Sequence, residues 1–326
     1  MRANVLVNEI SPSYLVSKPG ALLDQVETCM SEVLQQCPAT QLASHTDTAI
    51  SASSDIHAAA IYHLQSGGQR LRARLALGAG QAIGLSEEDC IHIAAAVELL
   101  HNASLIHDDL QDKDKYRRGQ ESVWSKFSSN LAICCGDLYL SAAYGVLGNI
   151  SKPAVLPKLF RQMHGRVTEA ILGQSADLSI GANHMMLDTY IQVVMAKSGA
   201  LLSLPLELIF LMGGYDEMIR PAQKACKHFA VGFQIYDDVC DFSADCGPIN
   251  GSVGDEDRFN IVAVFNYLNS VTNTCGDPIA ASKELAVRHL QLAQTSLDVL
   301  PQRSGVLLEE CAQNIEELLG GLFRKN

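Results

Sequence analysis

Asp108-Asp109-Leu110-Gln111-Asp112 places three carboxylates within one pentapeptide, and Asp237-Asp238-Val239-Cys240-Asp241 repeats the pattern. On a helix the first and last Asp of each copy stack one turn apart with the middle one beside them, so all three share one end of one face. A single copy reads most simply as a solvated acidic helix end; a second copy argues against accident. Both copies close apolar helical stretches, after Ala103-Ser104-Leu105-Ile106 and after Val231-Gly232-Phe233-Gln234-Ile235. Carboxylates clustered there repel one another and resist desolvation unless a cation sits among them. Oxygen donors with no His or Cys in the pattern point to a hard metal, Mg²⁺ before Mn²⁺. Mg²⁺ keeps part of its shell for water and phosphate oxygens, so two such clusters suit a diphosphate held between them.

Basic residues gather at three places. Gly67-Gly68-Gln69-Arg70-Leu71-Arg72 is followed by Arg74; Lys113, Lys115, Arg117 and Arg118 follow the first acidic cluster and end at Gly119; Lys197 opens Lys197-Ser198-Gly199. Each has a plain reading, a solvated turn or a lysine that snorkels. Beside two metal clusters the diphosphate reading is stronger, because guanidinium forks match phosphate oxygens. The chain as a whole is acidic, with Lys+Arg 24 and Asp+Glu 36 for a formal charge of −12. That balance argues against a nucleic-acid partner, which needs a basic face.

The elements that must position these groups are helices. Ser86-Glu87-Glu88-Asp89 is a capping box, and apolar residues recur through Ile93, Ala94, Val97, Leu100 and Leu105, which predicts a helix to about Leu110. The same spacing predicts helices over 19–36, 55–83, 130–148, 155–174, 186–212, 217–242, 259–271, 278–298 and 304–323, with breakers at Gly84, Gly119, Pro153, Gly181, Gly213-Gly214, Gly247-Pro248 and Pro301. Residues 38–54 and 243–258 read as surface loops. No long period-two alternation, internal repeat or low-complexity tract competes. The expected fold is all-α, a single domain of about ten or more helices over 1–326, with an N-terminal helix and loop (1–54) before the main bundle (55–326).

With 48% hydrophobic residues the chain is too apolar to stay disordered. Its ten Cys include no CxxC pair and read as reduced, mostly buried thiols of a cytoplasmic protein. The start, Met-Arg-Ala-Asn with Glu9 and Pro12 soon after, lacks a signal-type apolar run. The most apolar stretch, Gly199 to Gly214, is interrupted by Pro205 and Glu207 and is expected to be too short to span a bilayer, so no stable membrane insertion is expected.

Taken in order, GGQRLR, HNASLIHDDLQD, RRG, GQSAD, AKSG and FQIYDDVCD resemble the trans-isoprenyl diphosphate synthases of the polyprenyl synthetase family, over roughly residues 60 to 270. The resemblance implies a bundle of long helices around a deep central cavity, of isoprenoid synthase type, paired as a homodimer. It implies a prenyltransferase that joins isopentenyl diphosphate head-to-tail onto an allylic diphosphate with Mg²⁺. Carried over by position, Asp108, Asp109, Asp112, Asp237, Asp238 and Asp241 are the metal ligands, and Arg117 grips the allylic diphosphate. Lys197, Gln234 and Gln174 line the ionising carbon, with Lys197 on the leaving group. Arg70, His101 and Arg118 match the binders of isopentenyl diphosphate. Beyond the metal-binding reading of the two Asp clusters, composition and spacing show none of these roles by themselves; His101 alone would read as a core histidine.

The chain departs from the family at two places. The lysine of the GGKR signature is Gln69 here, and 243–258, where lysines are usual, has none. A lost charged phosphate contact weakens binding by about one to two orders of magnitude unless Arg72, Arg74 or Arg258 replaces it. One turn before Asp108, farnesyl-making members carry a bulky aromatic; Ala103 and Ser104 stand here, which implies a geranylgeranyl or longer product unless Leu131, Ile133 or Met163 closes the shaft. Two other readings stay open. One is a variant on the same scaffold that passes the allylic cation to another acceptor or cyclises it; the other is a non-catalytic partner subunit.

Overall fold

The computed structural model describes residues 19–36, 47–179, 186–242, 260–272 and 276–321, and these are helical almost throughout. They fall into two compact units, Ser13–Leu156 and Pro157–Asn326. The first holds α1 (Pro19–Gln35), α2 (Asp47–Gln65), α3 (Leu71–Ala82), α4 (Glu87–Gln111), the short strands β1 (Tyr116–Arg117) and β2 (Gln120–Glu121), the single turn α5 (Val123–Lys126) and α6 (Ser129–Val146). The second holds α7 (Leu156–Ser179), α8 (Leu187–Val194), a π-helical turn (Met195–Gly199), α9 (Ala200–Gly213), α10 (Ile219–Phe242), α11 (Ile261–Thr272), α12 (Pro278–Leu297) and α13 (Val306–Gly321). The all-α expectation holds. The expected loop 243–258, residues 38–46, Gly181, Gly247-Pro248 and the stretch before residue 19 lie outside the described residues.

In the first unit α4 is the axis. Ser86 caps it, its Oγ accepting the Asp89 N–H at 3.2 Å. Ile93, Val97, Leu100 and Ile106 are buried, and burial of each such side chain contributes about 1.5–3 kcal/mol. Against this axis pack α1, α3 and α6. Polar groups tie the helices where apolar packing cannot choose a register: Glu98 of α4 accepts the Ala73 N–H at 3.0 Å near the start of α3, and Asn102 Oδ1 meets His63 Nε2 of α2 at 3.1 Å. Burial, with nearby arginines, pushes His63 down to about 3, so it stays neutral.

In the second unit α10 packs most extensively on α12 and also on α9. Every residue of α9 from Ala200 to Met212 is buried, which an all-round apolar helix requires. Pro205 lies inside it rather than ending it. The run Leu187–Gly213 is therefore longer than the expected apolar stretch, and it and Ser129–Asn149 are both long and apolar enough to cross a membrane. The length argument against a span fails for this run. Burial gives the better reason to treat it as core, since 78% of its most apolar window is inside the structure.

Three boundaries differ from the periodicity. The helix expected over 55–83 is two, α2 and α3, because Gly67 and Gly68 take φ of 73° and 130° and Arg70 takes 51°; none of these continues a right-handed helix. The loop expected over 38–54 ends at Asp47, where α2 starts; its Ser and Thr content hid the helix-forming Ala49, Ile50 and Ala52. Between α4 and α5 the chain makes a two-residue hairpin, with Tyr116 opposite Glu121 and Arg117 opposite Gln120. Arg118 and Gly119 both have positive φ (53° and 85°), the primed turn that matches strand twist. Seven Cys among the described residues are free thiols, and Cys134 and Cys135 do not bridge.

Gly68 is the strictest position in the 66–70 turn. A Cβ there would lie 2.5 Å from Arg118 Cζ, and its φ is 130°. Gly68→Ala is expected to lower stability by about 1–3 kcal/mol, read as a lower urea midpoint at unchanged m value.

Candidate functional site

The hairpin exists to place two arginines. Ser122 Oγ and Trp124 Nε1 both donate to the Asp114 carbonyl, at 2.7 and 2.9 Å, and Tyr62 Oη donates to the Glu121 carbonyl at 2.8 Å. So held, Arg117 reaches back to the end of α4, where its Nε donates to Asp109 Oδ1 at 2.8 Å and its Nη2 reaches the same oxygen. Asp109 is 1% exposed, Asp108 is half-buried and Asp112, the C-cap of α4, is exposed. Burial raises the Asp109 carboxyl and Arg117 opposes the rise. Its second oxygen, Oδ2, is buried with no hydrogen-bond partner.

Arg70 and Arg118 converge on the turn between α2 and α3. Arg70 is buried; its Nε donates to Glu27 Oε1 of α1 at 2.8 Å, Nη1 to the Gly67 carbonyl at 3.1 Å and Nη2 to the Leu64 carbonyl at 3.2 Å. Arg118 Nη1 donates to the same Gly67 carbonyl. Gln69, in the same turn, is half-buried. His101 of α4 is held well below the usual histidine range, first by burial and then by Arg72, Arg118, Arg117 and Arg70. Its Nδ1 is buried without a partner. Four guanidinium groups thus act on one neutral imidazole. Such a concentration of positive charge in an acidic protein has an anion as its natural complement. Ala103 is buried and Ser104 Oγ donates to the His101 carbonyl at 2.8 Å. Of the expected floor residues, Leu131 is half-buried, Ile133 is 48% exposed, and Met163, in the other unit, is fully buried.

The second acidic cluster ends α10. Asp238 is buried and held on both oxygens: Gln234 Nε2 donates to Oδ1 at 2.9 Å, while Tyr190 Oη and the Ile261 N–H donate to Oδ2, each at 2.8 Å. Gln234, assigned by resemblance to the ionising carbon, here gives an amide hydrogen to a carboxylate one turn away. Asp237 is half-buried and pushed up to about 7, by burial first and then by Asp238 and Asp241. Burial pushes Asp238 up to about 6 against its donors. Asp241 is exposed. Lys197 sits in the π-helical turn, a geometry frequent at functional sites, and its Nζ donates to Asp177 Oδ2 at 2.7 Å. The turn fits because position 173 of α7 is Gly; a Cβ there would collide with the backbone of Ala196 and Lys197. Gln174 follows on the same helix, half-buried.

Sequence reasoning missed Tyr190, Asp177 and Glu27 as partners of the site. Asp177 stands three residues after Gln174 in GQSAD, and Tyr190 stands seven before Lys197 on one helical run. Both spacings put the pairs on one face. Glu27 carried no signal.

Among the described residues no three His, Cys, Asp or Glu side chains converge as a ready-made metal centre. The donors nonetheless fit Mg²⁺. Asp109 Oδ2 is a buried oxygen in want of a partner, and Asp237 and Asp241 are stacked one turn apart on α10. Mg²⁺ characteristically takes one or two carboxylates and completes its octahedron with water and phosphate oxygens.

Asp237 gives a sign that can be measured. Its folded value, about 7, lies above its ordinary 3.8, so the stability it contributes is fully present below about 3.8 and is lost as pH rises through 7. In EDTA, Asp237→Asn is therefore expected to raise the melting temperature more at pH 8 than at pH 5.

A family model described as polyprenyl synthetase matches residues 53–268. Geranylgeranyl diphosphate synthase of Methanosarcina mazei is 29% identical over 290 residues, 84% of this chain and 89% of that protein. A (2E,6E)-farnesyl diphosphate synthase of Mycobacterium tuberculosis is 34% identical over 174 residues, 53% of this chain and 48% of that one. Among solved structures, geranylgeranyl pyrophosphate synthetase from the archaeon Geoglobus acetivorans superposes with a TM-score of 0.76 at 23% identity, covering 91% of this chain and 98% of that one. A polyprenyl synthase from Caulobacter crescentus, complexed with calcium and isoprenyl diphosphate, gives 0.72 at 19%, with 91% and 94% covered.

Proposed function

Because the chain belongs to the polyprenyl synthetase family, we propose that it is a Mg²⁺-dependent, chain-elongating prenyltransferase that joins isopentenyl diphosphate to an allylic diphosphate and releases a geranylgeranyl or longer product. The observation that carries the substrate class is the gathering of Arg70, Arg72, Arg117 and Arg118 about neutral His101, in a chain whose net charge is −12. Small side chains at Ala103 and Ser104 and the names of the relatives from Methanosarcina mazei and Geoglobus acetivorans support the longer product.

In this reading Asp108, Asp109, Asp112, Asp237, Asp238 and Asp241 are the residues that would hold Mg²⁺. Bound Mg²⁺ would supply charge neutralisation for the diphosphate as it leaves. Arg117 holds the buried Asp109 ionised and turned, and its remaining N–H groups are free of that bond to meet phosphate oxygen. Lys197 keeps its ammonium beside Asp177, which fixes the direction in which the charge is presented to the leaving group. His101, kept neutral, offers a hydrogen bond to isopentenyl diphosphate without adding a fifth charge. The apolar length of α4 before Asp108 would exclude water from the allylic cation, which the double bond of isopentenyl diphosphate then captures as its proton passes to the departing diphosphate. Pairing of two copies and a cytoplasmic site of action belong to the same proposal.

Gln69→Lys restores a charged contact and is expected to lower KM for isopentenyl diphosphate by about tenfold, with kcat little changed. The reading itself is tested by mass spectrometry of products from the purified chain with Mg²⁺, isopentenyl diphosphate and dimethylallyl, geranyl or farnesyl diphosphate in turn. Diphosphates lengthened by five-carbon units are expected, ending at twenty carbons or more. Release of diphosphate from the allylic substrate with no lengthening would replace this reading with cyclisation or transfer to another acceptor.

A further inference from the structure

Tyr190 lies on α8, 1% exposed, in a part of the second unit to which no chemistry has been assigned. Its hydroxyl donates to Asp238 Oδ2 at 2.8 Å. The same oxygen takes the backbone N–H of Ile261, the first residue of α11, at 2.8 Å, and the other oxygen takes Gln234 from one turn earlier on α10. One carboxylate therefore joins α8, α10 and α11. Its neighbours in the cluster, Asp237 and Asp241, stack i and i+4 on the last turn of α10.

A buried carboxylate with three donors is fixed in rotamer, and fixing it fixes the helix turn that carries it. We propose that Tyr190 is a positioning residue for the second acidic cluster: through Asp238 it holds the last turn of α10 so that Asp237 and Asp241 present their oxygens to the metal in one constant geometry. The inference rests on the reading that this cluster binds Mg²⁺, and it deepens that reading by naming what pre-organises the ligands. It parallels the general behaviour of metal sites, in which the hydrogen-bond partners behind the ligands set affinity by orientation rather than by contact. The alternative is that Tyr190 is core filling that happens to satisfy its hydroxyl. The two differ in what removal of one oxygen atom does.

Tyr190→Phe keeps the ring and its packing and deletes only the hydroxyl. Two readouts are needed: calorimetric titration of Mg²⁺ into protein with inorganic diphosphate, and the Mg²⁺ dependence of turnover. Tyr190→Phe is expected to weaken Mg²⁺ binding and raise its half-saturating concentration by about tenfold. At saturating Mg²⁺, kcat should return to within about twofold of wild type and KM for isopentenyl diphosphate should not move. Asp238→Asn should weaken Mg²⁺ binding too, and the double variant should be no worse than Asp238→Asn alone, because both remove the same link. If Asp238→Asn does not fold, the Mg²⁺ titration of Tyr190→Phe alone decides the proposal. An unchanged Mg²⁺ titration in Tyr190→Phe, or effects that simply add in the double variant, overturns the proposal. Calorimetry with inorganic diphosphate needs no chain elongation. A wild type that binds Mg²⁺ and diphosphate without lengthening any substrate fails the functional reading and leaves this one standing.

Discussion

The structure is organised around carboxylates that fold only at a cost. Asp109 and Asp238 are buried at the ends of long, largely apolar helices, where an ionised group loses hydration that nothing apolar can return. Each is met by a different compensation. Asp109 has a cation, Arg117, delivered by a two-residue hairpin whose turn needs two left-handed residues. Asp238 has three neutral donors from three helices. In neither case is the compensation complete: Asp109 keeps an unsatisfied buried oxygen, and burial still pushes Asp238 up to about 6 against its three donors. In the proposed reading the shortfall is the functional feature, because a site already neutral would have no call on a metal–diphosphate pair.

The same logic runs with the opposite sign on the turn between α2 and α3. Arg70 and Arg118 both donate to the carbonyl of Gly67, which spends part of their hydrogen-bonding capacity on holding a strained turn. What remains is field rather than contact. It is strong enough to help keep His101 neutral. In the proposed reading, binding of isopentenyl diphosphate leans on arginines already built into the scaffold.

Much of this was legible in the sequence because it is periodic or repeated. The capping box at Ser86, the apolar stripe of α4 and the duplicated Asp pattern fix helix and face from local spacing alone. What was not legible depends on partners distant in sequence. Nothing near Glu27 signals that it pairs with Arg70, forty-three residues on. The family resemblance assigns Gln234 to the site, and only the fold shows its hydrogen committed to Asp238. The break at Gly67-Gly68 was hidden by helical spacing on both sides, and the hairpin by its length, since two residues per strand are too few for a period to register. Helix existence follows from the chain's own pattern; the direction of a polar side chain follows from what the fold brings to it.

The proposed reading turns on each acidic cluster being an incomplete ligand set which a diphosphate finishes. Titration calorimetry of Mg²⁺ into the chain, with and without inorganic diphosphate, tests it most directly. The account predicts weak Mg²⁺ binding alone, weak diphosphate binding in EDTA, and binding stronger by two orders of magnitude or more (about 3 kcal/mol of coupling) when both are present. Equal Mg²⁺ affinity with and without diphosphate would contradict it, since the protein would then hold a complete metal site of its own.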